Sequence, residues 1–156
     1  MATTTDFFIW QCPQEQIDFA RRNAELRIAN GEYARDRRLD DEQRTPDNGD
    51  FRTRVGLIID VKTQENQYTP QADWRCEVTD EQIGRPADIY VFCKLRIVGQ
   101  SYTLYIVGWE YENDFKTNAI YRKRGDLLRG KPVHYPKWDI TILELKTMNS
   151  LIPVII

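Results

Sequence analysis

The residues with the clearest chemical potential lie at 46–62, where Pro46-Asp47-Asn48-Gly49-Asp50 leads through Phe51-Arg52-Thr53-Arg54-Val55-Gly56 into Leu57-Ile58-Ile59-Asp60-Val61-Lys62. Side chains two apart on an extended strand share a face, so Asp60 and Lys62 project together while Val61 points the other way. With Asp47 or Asp50 supplied by the upstream turn, two carboxylates and an ammonium can converge on one point. Such a set suits a hard divalent cation and a phosphate. Carboxylate oxygens hold the metal, and the ammonium meets the phosphate's charge.

The elements that must position this set can be read from the pattern around it. Leu57-Ile58-Ile59 does not alternate with polar residues, which predicts a strand covered on both faces. Because an unpaired buried charge is costly, Asp60 and Lys62 belong where that strand opens into a cleft. Upstream, Ile17, Ala20, Ala24 and Ile28 form one stripe of a helix from Gln14 to about Asn30. Asp18, Glu25 and Glu32 recur every seven residues along its border, the usual place for solvated acids. Residues 31–45 mix Arg35, Arg37, Arg38 and Arg44 with Asp36, Asp40, Asp41 and Glu42, and read as a loop or an irregular helix extension.

Beyond Lys62 a polar stretch runs from Thr63 to Pro70 and is followed by Asp73–Val78. Thr79-Asp80-Glu81-Gln82 predicts a capped helix start, ended by Pro86. Strands are expected over Asp88–Val98 and Tyr102–Glu110, joined tightly through Gly99-Gln100-Ser101. A short helix or loop follows from Asn113. Arg122, Lys123, Arg124, Arg129 and Lys131 then gather around Gly125 and Gly130. A last strand over Trp138–Lys146 precedes the apolar tail Leu151–Ile156. This order predicts one domain spanning 1–156, of mixed α/β (α+β) class, with a central mixed sheet flanked by helices.

Composition narrows the chemistry further. Apolar residues make up 41% and aromatics 12%, so the chain can bury a core. The net charge of −2 argues neither for nor against a nucleic-acid partner, and any basic patch must be local. Cys12, Cys76 and Cys93 are odd in number and far apart, and His134 is the only histidine. A zinc site or disulfide framework is not expected. The N-terminus has no basic region followed by a long apolar stretch, and no run approaches a membrane span. A cytoplasmic protein without a membrane partner is the expectation.

Asp/Glu-x-Lys triplets are common; about one is expected by chance in a chain of this size. Asp114-Phe115-Lys116 and Glu144-Leu145-Lys146 are further examples. The first has no apolar strand before it. Only ten residues follow Lys146, too few to build a sheet around a site there. Asp60-Val61-Lys62 alone combines an acidic turn, a buried-type strand and enough chain afterwards. In this respect the chain resembles the PD-(D/E)xK nuclease superfamily, with its restriction-endonuclease-like fold. The resemblance extends in layout over roughly Gln14 to Glu110. Its motif-grade residues are Asp50, Asp60 and Lys62, with Asp47 an alternative to Asp50.

That resemblance implies a Mg²⁺-dependent DNA endonuclease, with Mn²⁺ able to substitute, that leaves a 5′-phosphate and a 3′-hydroxyl. It implies that Asp50, Asp60 and the Val61 carbonyl hold the metal and that Lys62 orients the nucleophile. It also assigns catalytic roles to a first-helix acid, best matched by Glu25 with Asp18 and Glu32 as alternatives, which would bind a second metal or order its waters, and to Gln82, which would position water or phosphate. Arg122, Lys123, Arg124, Arg129 and Lys131 would make sequence-independent phosphate contacts. Trp109, Tyr111 and Tyr121 are candidates for base stacking, although such aromatics more often belong to a core. Cutting both strands of a duplex with one site per chain calls for a homodimer, for which the apolar tail could supply an interface. The alternative is a non-catalytic nucleic-acid-binding module that retains the fold.

Overall fold

The computed structural model describes residues 6–29 and 50–156. In chain order the elements are β1 (Phe8–Gln11), α1 (Gln14–Ala29), β2 (Phe51–Arg52), β3 (Ile58–Asn66), β4 (Arg75–Thr79), β5 (Ile89–Val98) and β6 (Ser101–Tyr111). There follow α2 (Glu112–Asn118), β7 (Ile120–Arg122), β8 (Leu127–Leu128), β9 (Lys131–Pro132), β10 (Lys137–Thr141) and α3 (Ile152–Ile155). The class is mixed α+β, with few helices.

The central sheet has five strands in the order β1-β6-β5-β3-β2. One interior pair, β3 and β5, is parallel, and the remaining three pairings are antiparallel. Parallel neighbours need a crossover, and here the chain makes it through β4, which belongs to a second sheet ordered β4-β10-β7. The antiparallel β5–β6 pair turns through Gly99 and Gln100, with Val98 opposite Ser101. Gly99 alone has a positive φ, +58°, as a glycine-first two-residue turn requires.

Alternation along the strands separates two cores. On one face Tyr90, Phe92, Tyr105 and Val107 pack against Cys76 and Val78 of β4, Ile140 of β10 and Phe115 of α2. On the other face Ile59, Ile89, Val91, Cys93 and Trp109 pack with Met148 and Leu151. The second sheet thus covers much of a face for which flanking helices were expected, because β4 and β10 carry the apolar side chains.

The sequence reading also differs in detail. β3 does not end at Lys62; it continues to Asn66, since its polar residues still pair with β5 up to Asn66 opposite Arg96. Residues 79–83 form a turn, not a helix, with Gln82 and Ile83 N–H both donating to the Thr79 carbonyl at 3.0 Å. The last strand stops at Thr141. A 3-10 turn over Ile142–Glu144 replaces its second half, because the N–H groups of Ile142 and Leu143 are taken by the Trp74 and Ala72 carbonyls.

Helix α1 begins where the Pro13 carbonyl accepts from the Gln16 and Ile17 N–H groups. Ile17 is buried as the stripe predicts, whereas Ala20 is exposed. Arg21 bonds the Tyr102 hydroxyl and lies over that ring, which fixes the helix to the hairpin end of the sheet. Part of the apolar tail is used within the chain: Leu151 is buried, and Val154 and Ile155 pack on the same core, while Ile152 and Ile156 stay exposed. Among the described residues no helix is long and apolar enough to cross a membrane.

Candidate active site

The site is built on β3. Ile59 and Val61 point into one core, which forces Asp60 and Lys62 onto the opposite face. There they form an ion pair of 2.7 Å between Lys62 Nζ and Asp60 Oδ2, with side chains only 10% and 5% exposed. The pair expected at a cleft is therefore preformed and largely shielded from water.

Asp50 reaches the same strand from the side. Its N–H donates to the Ile59 carbonyl at 2.9 Å, and its Oδ2 accepts the Val61 N–H at 2.6 Å. Ile58 bonds towards β5, through the Asp88 N–H and carboxylate. Backbone groups alternate sides along a strand, so Ile59 and Val61 turn their polar groups towards Asp50. The Val61 carbonyl thus faces the Asp50 side. Asp47, the alternative to Asp50, lies outside the described residues, as does Glu32.

Tyr90 completes the row. On β5, it stands opposite Asp60 of β3 and opposite Glu110 of β6. The Lys62 ammonium lies 5.8 Å from its ring centre. Its buried hydroxyl has no hydrogen-bond partner among the described residues. Burial raises its pKa, and the carboxylates of Glu112 and Asp60 raise it further. Beyond it, Glu110 is 1% exposed and accepts from Lys146 Nζ at 2.6 Å and from the Tyr111 N–H at 2.9 Å. Gly108 permits this second pair. A Cβ there would sit 2.7 Å from Leu145 Cβ and 2.9 Å from the Lys146 carbonyl, so glycine lets that segment lie directly on β6.

Two acid–lysine pairs therefore flank one tyrosine, the Asp60–Lys62 pair largely buried and the Glu110–Lys146 pair with a buried acid and a lysine 38% exposed. No family model, curated protein or solved structure matches the chain.

Among the described residues no three His, Cys, Asp or Glu side chains gather closely enough to hold a metal ion. A cation at β3 would rely on Asp50, Asp60, the Val61 carbonyl and water. All are oxygen donors, and one or two carboxylates completed by water is the usual way Mg²⁺ is held. The donor set fits.

The supporting residues are more scattered. Glu25 is exposed on α1, and Asp18 accepts from Gln14 on the same helix at 2.9 Å. Gln82 turns its carbonyl back onto the Thr79 N–H at 3.3 Å. Lys123, Arg124 and Lys131 are exposed. Arg122 is drawn inward, its Nε 2.8 Å from Asp139 Oδ2. Arg129 sits at the β8–β9 turn with φ of +51°, its guanidinium 3.9 Å from Asp73. Trp109 is a core residue, with its indole N–H bonded to the Thr147 carbonyl and Ser150 Oγ. Tyr111 packs at the edge of that core, and Tyr121 is 38% exposed.

Sequence reasoning missed Tyr90 and the Glu110–Lys146 pair. Tyr90 sits in an apolar strand run, Ile89-Tyr90-Val91-Phe92, where nothing marks its hydroxyl. The pairing of residues 110 and 146 depends on a long-range contact that no local spacing announces.

Proposed function

We propose that the chain is a Mg²⁺-dependent DNA endonuclease acting through Asp50, Asp60 and Lys62 on a restriction-endonuclease-like core. The observation that carries this reading is the convergence on one strand: Lys62 at 2.7 Å from Asp60, and Asp50 docked on the intervening Val61. Asp50, Asp60 and the Val61 carbonyl would hold the metal, which supplies counter-charge to the phosphate and lowers the pKa of bound water.

The protein's own groups do the rest. The hydrogen bond from Val61 fixes the Asp50 carboxylate before any ligand arrives, so little reorganisation is needed. Lys62, restrained by Asp60, offers its remaining N–H donors to a phosphate oxygen and stabilises charge as it builds. Water oxygen attacks phosphorus, the bond to the 3′ oxygen breaks, and a 5′-phosphate and a 3′-hydroxyl result. Lys123, Arg124, Arg129 and Lys131 support sequence-independent contact with the strand. Glu25 and Gln82 belong to this proposal as outer residues, not as direct ligands. A two-fold dimer would place two such sites on a duplex, with Ile152 and Ile156 among the exposed apolar residues available to it.

Burial of the Asp60–Lys62 pair favours a second reading, a non-catalytic nucleic-acid-binding module in which the pair only stabilises the sheet. Plasmid nicking separates the two. The nuclease reading expects cleavage with Mg²⁺, none with EDTA, and loss in Asp60→Asn and Lys62→Ala. Salt-sensitive DNA binding with no nicking by the wild type would favour the binding module.

A further inference from the structure

Beside Lys62, on the same face of the central sheet, lies a cavity of about 510 Å³. We propose that it binds one nucleotide of a nucleic-acid strand, with the phosphate on Lys94 and the base against Trp74 and Tyr68. The proposal rests on the nucleic-acid reading above and assigns that site a neighbouring subsite.

Lys94 forms the floor and is 5% exposed. Its ammonium donates to Gln64 Oε1 and, at 2.6 Å, to the Arg75 carbonyl. Both acceptors are neutral, and an ammonium has three donors. A buried cation is expensive without an opposing charge, and burial does lower the Lys94 pKa. The Glu77 carboxylate acts on Lys94 through space but is already paired with Lys137 and bonded by Tyr135, so an anion entering the cavity would supply Lys94 with a direct charged partner.

The wall adds to this. Asp139 is 1% exposed and is shared by the guanidiniums of Arg75, which lines the cavity, and Arg122, which does not. With Lys94, Arg75, Arg129 and Lys137 against Glu65, Glu77 and Asp139, the lining carries one more positive charge than negative. The Lys137–Glu77 pair is balanced, and Tyr135 also bonds Glu77. Arg129 stands at the mouth on the β8–β9 turn. Tyr68 is 68% exposed, and Trp74 has one side on the core and another on the cavity. An anion-accepting floor below two aromatic faces suits a nucleotide better than a bare anion.

Position ties the cavity to the candidate active site. Gln64 follows Lys62 by two residues on the same face, and Lys94 stands opposite Gln64. The step from Lys62 to Gln64 is about 7 Å along the strand. A strand with its phosphate at Lys62 can therefore place an adjacent nucleotide in the cavity.

The test is fluorescence anisotropy in EDTA with a labelled, 5′-phosphorylated oligothymidylate, using wild type, Lys94→Met, Tyr68→Ala and Asp60→Asn. Lys94→Met is expected to melt no lower than wild type and to bind at least about 10-fold more weakly, with Tyr68→Ala weaker by about 5-fold or more. Unlabelled thymidine monophosphate should displace the probe at lower concentration than inorganic phosphate. Wild-type affinity in folded Lys94→Met, or equal displacement by phosphate and nucleotide, would overturn the proposal. Asp60→Asn keeps the two claims apart. If, in the plasmid assay with Mg²⁺, wild type cuts and Asp60→Asn does not, while Lys94→Met binds normally in the anisotropy assay, the pocket fails and the nuclease reading stands. If wild type never cuts but Lys94→Met loses binding, the pocket stands and the nuclease reading fails.

Discussion

Lys62→Met perturbs both the stability of the sheet and the charge at the proposed cation site. It removes an ammonium 2.7 Å from Asp60 Oδ2 while keeping an apolar stem near Tyr90. Breaking a fully buried pair costs about 3–5 kcal/mol. Asp60 has a further contact besides Lys62, which places the expected loss nearer about 2–3 kcal/mol. Asp60→Asn should cost a similar amount, and the double variant should recover about 1–2 kcal/mol of the summed losses.

The same change should improve cation binding, since it deletes a positive charge beside the proposed metal ligand. At an effective dielectric between about 20 and that of water, that is worth about 1–2 kcal/mol, or roughly 5- to 30-fold in affinity. The assay is urea unfolding with EDTA and with Mn²⁺. Mn²⁺ should restore more stability to Lys62→Met than it adds to wild type, and little to Asp60→Asn. Equal Mn²⁺ stabilisation of folded Lys62→Met and folded Asp60→Asn would refute the reasoning, because the cation would then not be at Asp60.

Other consequences are simpler to measure. Gly108→Ala forces contacts under 3.0 Å with Leu145 and the Lys146 carbonyl; a loss of about 1–3 kcal/mol in urea unfolding is expected, and an unchanged midpoint would contradict the packing. Asp139→Asn leaves Arg75 and Arg122 without their shared carboxylate. With both arginines partly exposed, about 2–4 kcal/mol should be lost, and a change within error would show the cluster to be dispensable. Burial raises the Cys76 thiol to about 11 and the Cys93 thiol to about 12. Their stabilising contribution is complete below the unfolded thiol value and is lost as pH climbs through the folded values, by up to about 1.4 kcal/mol per pH unit for each thiol. Lys94, whose pKa is lowered, works in the opposite direction, since its burial penalty fades as pH rises. Lys94→Met should therefore steepen the alkaline fall seen in denaturant titrations; an unchanged slope would contradict this balance.

The β3 geometry was legible because it depends on one local rule. A two-residue repeat places Asp60 with Lys62 whatever else the chain does, and the apolar residues before them require a buried strand. Gly99 marked the β5–β6 turn for an equally local reason. Long-range pairing was not legible. Thr63–Asn66 looks like a loop until β5 supplies its ladder, and Thr79–Gln82 looks like a helix start until the chain turns back. The expected strand at Trp138–Lys146 ends at Thr141 because Ala72 and Trp74 capture the next backbone donors. Likewise, a basic run contains no sign that Arg122 will be drawn into Asp139 while Lys123 and Arg124 remain in water.

The central claim is that Asp50, Val61 and Asp60 form one cation site beside Lys62. A crystal soaked in Mn²⁺, with anomalous scattering recorded at the manganese edge, tests it most directly. The expected result is a peak at Asp60 that Asp50 and the Val61 carbonyl would help to hold. A peak elsewhere, or Mn²⁺ held by Asp47 in place of Asp50, would contradict this assignment; no peak at Asp60 would remove the basis for the nuclease reading.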